Sequence, residues 1–144
     1  MKKNIRTLLL CMAVFLIIAG CVSSTPFRKM DAKETRVAVY VFRPESILSR
    51  GTIIGVYFGD EKKGELINNS YLPLEAAPGN IEIILRTNDF VKNKYASMVL
   101  SNAKAGDEYF IKAKPGAFGA FELIKLEAST AMAEIGATQY YQKK

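Results

Sequence analysis

The residue with the most sharply defined chemistry is Cys21, because a cysteine thiolate is a strong nucleophile and the three residues before it are one aliphatic and two small ones, Ile18, Ala19 and Gly20. The other cysteine, Cys11, lies inside an apolar leader and leaves with it, so Cys21 is expected to stand alone and no internal disulfide can form. Other residue types offer less. Histidine is absent, which excludes a histidine-based triad or a histidine metal site. The acids Asp60 and Glu61, and Asp107 and Glu108, are adjacent in sequence. Neighbours on a strand point to opposite faces, and in a turn both face water, so these pairs read as solvated turns and not as converging acid–base pairs. Gly116-Ala117-Phe118-Gly119 lacks the lysine and serine of a phosphate loop and reads as a turn. No cofactor and no catalytic residue is expected.

Two further sets suit binding. Phe110, Lys112 and Lys114 alternate along one strand face, as stacking platforms for single-stranded nucleic acid do. Seven tyrosines occur in a chain without tryptophan, and tyrosine combines an apolar body with a hydroxyl handle. Tyr57 and Tyr71, with Phe110, Lys112 and Lys114, form the candidate interface. The competing expectation is that the tyrosines pack in the core with hydroxyls at its rim and that the lysines line a half-solvated sheet face. Nucleic acid is not an expected partner. The formal charge of +6 includes Lys2, Lys3 and Arg6 of the leader; without them 17 basic and 14 acidic side chains remain, a mildly basic +3.

The leader itself is a basic start followed by an unbroken apolar run, Leu8 to Ala19, and small residues at its end, the pattern of a secretory signal peptide. The run falls short of the about 20 apolar residues that span a bilayer. Ile18-Ala19-Gly20-Cys21 resembles the bacterial lipobox, with isoleucine where leucine is commoner. That resemblance implies a diacylglyceryl group on Cys21, cleavage before it, and membrane lipid as a partner held through that sulfur. Two acyl chains suffice for stable anchoring. Val22 stands where aspartate retains similar proteins on the inner membrane, which favours the periplasmic face of the outer membrane in a Gram-negative source.

The elements that would position a binding surface follow from patterning. The 144 residues suit one domain: signal peptide 1–20, lipidated cysteine and flexible tether 21–35, β-domain 36–136 and a frayed tail 137–144. Val37 to Phe42 is apolar on both faces and reads as a central strand ended by Arg43-Pro44. Further strands are expected at 52–58, 64–67, 70–75, 80–87, 95–100, 108–114 and 120–126, with turns at 59–64, Asn68-Asn69, Pro78-Gly79 and Ala105-Gly106-Asp107. Residues 88–94 read as a polar connection and 127–136 as a short helix. The fold class is therefore mainly β: an antiparallel sandwich or open barrel of about eight short strands, with a C-terminal helix.

The order Val37-Ala38-Val39-Tyr40-Val41-Phe42-Arg43-Pro44, Val56-Tyr57-Phe58-Gly59-Asp60, Gly64-Glu65-Leu66, Asn69-Ser70-Tyr71 and Pro78-Gly79 resembles bacterial lipoproteins grouped as domain of unknown function 2846. Residues 56–79 are also similar to short β-modules named for a Pro-Glu-Gly-Ala motif, with Ala77-Pro78-Gly79 in its place. The resemblance implies a β-fold at the envelope and carries over no established activity. The expectation is a non-catalytic interaction or structural module whose partner is an envelope protein or glycan. The alternatives are a carrier of an apolar ligand between its sheets and a carboxylate-dependent glycan hydrolase.

Overall fold

The computed structural model describes residues 25–31, 33–88 and 91–141. Cys11, the lipobox residues Ile18, Ala19 and Gly20, and Cys21 lie outside them. The described chain is mainly β, in two sheets packed face to face. Its strands are β1 (Thr25–Pro26), β2 (Val37–Arg43), β3 (Ile54–Phe58), β4 (Glu61–Leu66), β5 (Ser70–Ala76), β6 (Gly79–Asn88), β7 (Val91–Ala103), β8 (Glu108–Pro115), β9 (Phe121–Leu126) and β10 (Gln139–Tyr140). One sheet has the order β1-β10-β5-β2-β8-β9 and the other β4-β3-β6-β7. The sandwich is the expected class; a closed barrel is not formed.

The chain visits the sheets in a repeating pattern. It leaves β2 to make the hairpin β3–β4 in the second sheet, returns as β5, leaves again for β6–β7, and returns as β8 and β9. Direction reverses at each step, so β5 lies antiparallel to β2 while β8 lies parallel to it. The expected all-antiparallel arrangement is therefore corrected to a mixed sheet, with a second parallel pairing between β10 and β5.

Between the sheets, Val37, Val39 and Val41 of β2 meet Ile54, Val56, Ile81, Ile83 and Leu85 of the second sheet, with Leu66, Leu72, Leu100, Ile111 and Leu123 around them. Each such side chain taken fully out of water contributes about 1.5–3 kcal/mol. The opposite face of β2, Ala38, Tyr40 and Phe42, forms another cluster with Tyr71, Phe110, Ala131 and Ile135. The central strand is buried on both faces, as its sequence implies, because a third layer covers the first sheet. That layer is helix α1 (Ala128–Ile135), which turns Ala131 and Ile135 inward, and the N-terminal segment. At the helix end the Thr138 hydroxyl donates to the Ile135 carbonyl at 2.7 Å, and the chain turns into β10. No helix among the described residues is long and apolar enough to cross a membrane.

Several boundaries move from expectation. The turn expected at 59–64 shrinks to Gly59-Asp60, with Gly59 at φ 57°, because β4 already pairs with β3 from Glu61. Strand β7 begins at Val91 and pairs across the expected polar connection. The tether and tail depart most: β1 pairs with β10, and β10 with β5, so described parts of both segments are strand. The Asn68-Asn69 turn forms as expected: Asn69 takes φ 58°, and the Ser70 hydroxyl donates to the Ile67 carbonyl at 2.8 Å.

Candidate interaction surfaces

The candidate interface is dispersed by the fold. Phe110 is buried, its ring stacked on Tyr40 at 5.0 Å. Lys112 shares the Phe110 face of β8, but that face is covered by helix α1 and Lys112 pairs with Glu134. Lys114, further along, is exposed. Tyr71 is buried at the other side of the same layer. Tyr57 is buried on the outer face of the second sheet: its ring lies back over Gly55, where an added Cβ would come within 2.7 Å of it, and the Arg86 guanidinium sits 4.6 Å above its centre. Tyr57, Tyr71 and Phe110 are thus taken up by packing within the chain and do not form one exposed patch. The rim expectation for the tyrosines describes Tyr40 and Tyr71, whose hydroxyls serve the chain itself.

Those hydroxyls hold the N-terminal segment. Phe27 wedges edge-on between Tyr40 and Tyr71, at 5.6 and 5.1 Å between ring centres. The Tyr71 hydroxyl donates to the Pro26 carbonyl and accepts from the Arg28 N–H, both at 3.2 Å. The Tyr40 hydroxyl accepts from the Met30 N–H at 3.1 Å. Burial pushes the Tyr40 phenol above its ordinary value, and the Met30 N–H partly offsets this. Lys29 closes the clamp on Glu108 at 2.6 Å. The physical reason this segment is not a free tether is Phe27, a large apolar ring that finds an aromatic seat.

The two acid pairs diverge. Asp60 reaches Arg86 at 3.1 Å while Glu61 pairs with Lys63 at 2.6 Å. Asp107 accepts from the Lys104 N–H at 2.8 Å and from the Tyr109 hydroxyl at 3.1 Å, closing its own turn, while Glu108 faces Lys29. Gly116 to Gly119 is a single 3₁₀ turn with Gly119 at φ 78°.

Two surfaces emerge at opposite ends of the sandwich. At the end where β5 runs into β6, a cleft of about 480 Å³ is lined by Arg36, Phe58, Glu61, Lys63, Glu75 and Glu82 among others. Arg36 approaches Glu75 at 4.0 Å, and Lys63 lies 5.6 Å above the Phe58 ring. The cleft holds both signs of charge, each within reach of the other, and suits a polar partner that exchanges these pairs for its own. No group of three or more metal-ligating side chains occurs among the described residues.

At the other end, β2 finishes in Arg43, which is wholly buried. Its guanidinium donates to the Thr52 carbonyl at 2.7 Å and the Ser49 carbonyl at 2.5 Å, and lies 5.1 Å above the Phe121 ring. Loss of water pushes its pKa down. Arg43 thereby shapes the loop from Pro44 to Ile53 from beneath. The sequence presented Arg43-Pro44 only as a strand end; a cation at the end of an otherwise apolar strand was the available signal.

The chain matches no protein-family model and no curated protein. The geometry above therefore stands on its own.

Proposed function

We propose that this protein is a lipid-anchored module of the bacterial cell envelope that binds another envelope component without catalysing a reaction. Its kinship with the lipoproteins of domain of unknown function 2846 is part of that proposal, as is residence on the periplasmic face of the outer membrane. The observation that carries it is the clamp on residues 26–30 by Tyr40, Tyr71 and Glu108. With this clamp, three residues separate Cys21 from the first strand, and the domain is carried close to whatever Cys21 is attached to. The charged cleft, at the far end of β2 from Arg43, is the surface offered to the partner. A protein or glycan bearing groups of both signs suits Arg36, Lys63, Glu61 and Glu75.

The carrier alternative draws little support from the space between the sheets, which is filled by the side chains of β2, β3, β6 and β8. The hydrolase alternative draws little from the cleft, whose Glu61 and Glu75 face Lys63 and Arg36.

Intact-mass analysis of the protein extracted from membranes tests the anchor. The expected product begins at Cys21 and carries acyl chains, and Cys21→Ser abolishes both the modification and membrane retention. A mature chain beginning elsewhere, with a free thiol, overturns the proposal. Crosslinking in intact membranes from a photoreactive residue at Ala77, beside the cleft, is expected to capture one repeatable envelope partner; no repeatable adduct would remove the interaction role.

A further inference from the structure

We infer that the loop from Pro44 to Ile53 is a second, non-covalent contact with the bilayer, entering the headgroup region through Ile47 and Leu48. This rests on the reading of Cys21 as the lipid-bearing residue. The loop exposes three large apolar side chains within seven residues: Ile47 at 93%, Leu48 at 56% and Ile53 at 48%. Single exposed apolar residues need no explanation, but this loop is built to present its set. Arg43 holds the Ser49 and Thr52 carbonyls from below. The Thr52 N–H donates to the Ser49 carbonyl at 2.9 Å, the Leu48 N–H to the Ser46 hydroxyl at 3.1 Å, and the Ser46 N–H to the Asn68 side chain at 3.0 Å. These five backbone groups are thus satisfied inside the protein while the side chains of Ile47 and Leu48 are exposed, and each satisfied group lowers the cost of entering a lipid phase.

The position of the loop names its occupant. Glu45 and Arg50 share a groove of about 350 Å³ with Gln139, Tyr140 and Tyr141, and β10 is the strand that pairs with Thr25 and Pro26. Cys21 precedes Thr25 by four residues. At 3.3–3.6 Å per extended residue, its lipid lies within about 14 Å of that edge. The apolar phase nearest the loop is then the bilayer that receives the acyl chains, with Tyr140 and Tyr141 at the depth where such rings gather. Glu45 and Arg50 cancel in charge, so entry depends on apolar burial and not on anionic headgroups.

The test uses protein extracted from membranes with its native N-terminus and reconstituted into vesicles, either phosphatidylcholine alone or phosphatidylethanolamine with phosphatidylglycerol. An environment-sensitive fluorophore is placed by Ile47→Cys and, separately, by Leu48→Cys; both sites are exposed, so the fold tolerates them. Ala77→Cys labels the opposite end. Lipids spin-labelled near the headgroup are expected to quench the probes at 47 and 48 at least threefold more than the probe at 77, equally in both vesicle types. Equal, weak quenching at all three sites, with Cys21 acylated by mass, overturns the loop contact while leaving the anchor intact, and points to a protein on the loop instead. Quenching confined to anionic vesicles overturns the apolar mechanism. An unmodified Cys21 with no vesicle retention overturns the anchor and the loop contact together.

Discussion

The two ends of the sandwich handle positive charge in opposite ways. At the β2–β3 end, Arg43 is buried and answered by neutral backbone carbonyls of Ser49 and Thr52. At the cleft end, Arg36 and Lys63 stay near water and are answered by the carboxylates of Glu75 and Glu61. A guanidinium bonded to carbonyls dictates backbone shape, because the acceptors are part of the chain itself and leaving either one buried without a donor costs about 1–3 kcal/mol. An ion pair between mobile, solvated side chains dictates little and is readily exchanged for a partner's charges. The first arrangement builds a fixed loop with apolar side chains outward. The second leaves an adaptable polar surface.

The largest expected effect tests the first half of that contrast. Arg43→Ala removes both bonds and the contact with Phe121, and is expected to lower the free energy of unfolding by about 3 kcal/mol or more, measured by urea denaturation. Arg43→Lys restores less than half of this, since an ammonium lacks the planar fork that reaches both carbonyls. Full restoration by lysine would mean that charge alone, and not geometry, holds the loop.

A smaller and more local effect separates the ends by pH. The Lys104 N–H, and next the Tyr109 hydroxyl, hold the Asp107 carboxyl below the ordinary aspartate value of 3.8. A carboxyl depressed in the folded state stabilises the fold above its unfolded value, and that contribution is lost as pH falls through the folded one. Amide exchange at Lys104 is therefore expected to accelerate below pH 3.8, while exchange at Thr52, whose N–H sits in the Arg43-held loop, is unchanged by this titration. Tyr109 has the opposite sign: burial, and then Asp107, raise its phenol above 10.0, so its contribution is present below that pH and fades as pH rises through the folded value. Parallel acid responses at both ends would break the comparison.

The smallest effect is expected from Lys63→Ala. Glu61 is 73% exposed at its side chain, so cutting this pair changes unfolding free energy by no more than about 0.5 kcal/mol, by the same urea assay. A loss comparable with Arg43→Ala would show the cleft end to be as structurally committed as the other.

Much of the framework was legible in the residues. The doubly apolar run 37–42 is the central strand, Asn69 sits at positive φ where asparagine is tolerated, and the eight principal strands β2 to β9 match the expected number. The candidate interface was not legible. Alternation along β8 puts Phe110 and Lys112 on one face, but only the arrival of α1 and the N-terminal segment buries the first, and α1 pairs the second with Glu134. Nor did Ile47, Leu48 and Ile53 announce themselves as exposed; apolar composition in a short loop carries no sign of which way the side chains turn.

The amino-acid sequence by itself determined the strand periods, most of the turns and the exclusion of histidine chemistry. Tertiary structure alone decided which strands became neighbours, the parallel pairing of β2 with β8, and the seating of Phe27 between Tyr40 and Tyr71. The reason is that a two-residue period states only which side of a strand a side chain takes. What lies against that side comes from segments distant in the chain, and strands as short as β1 and β10 exist only because a partner strand completes their hydrogen bonds.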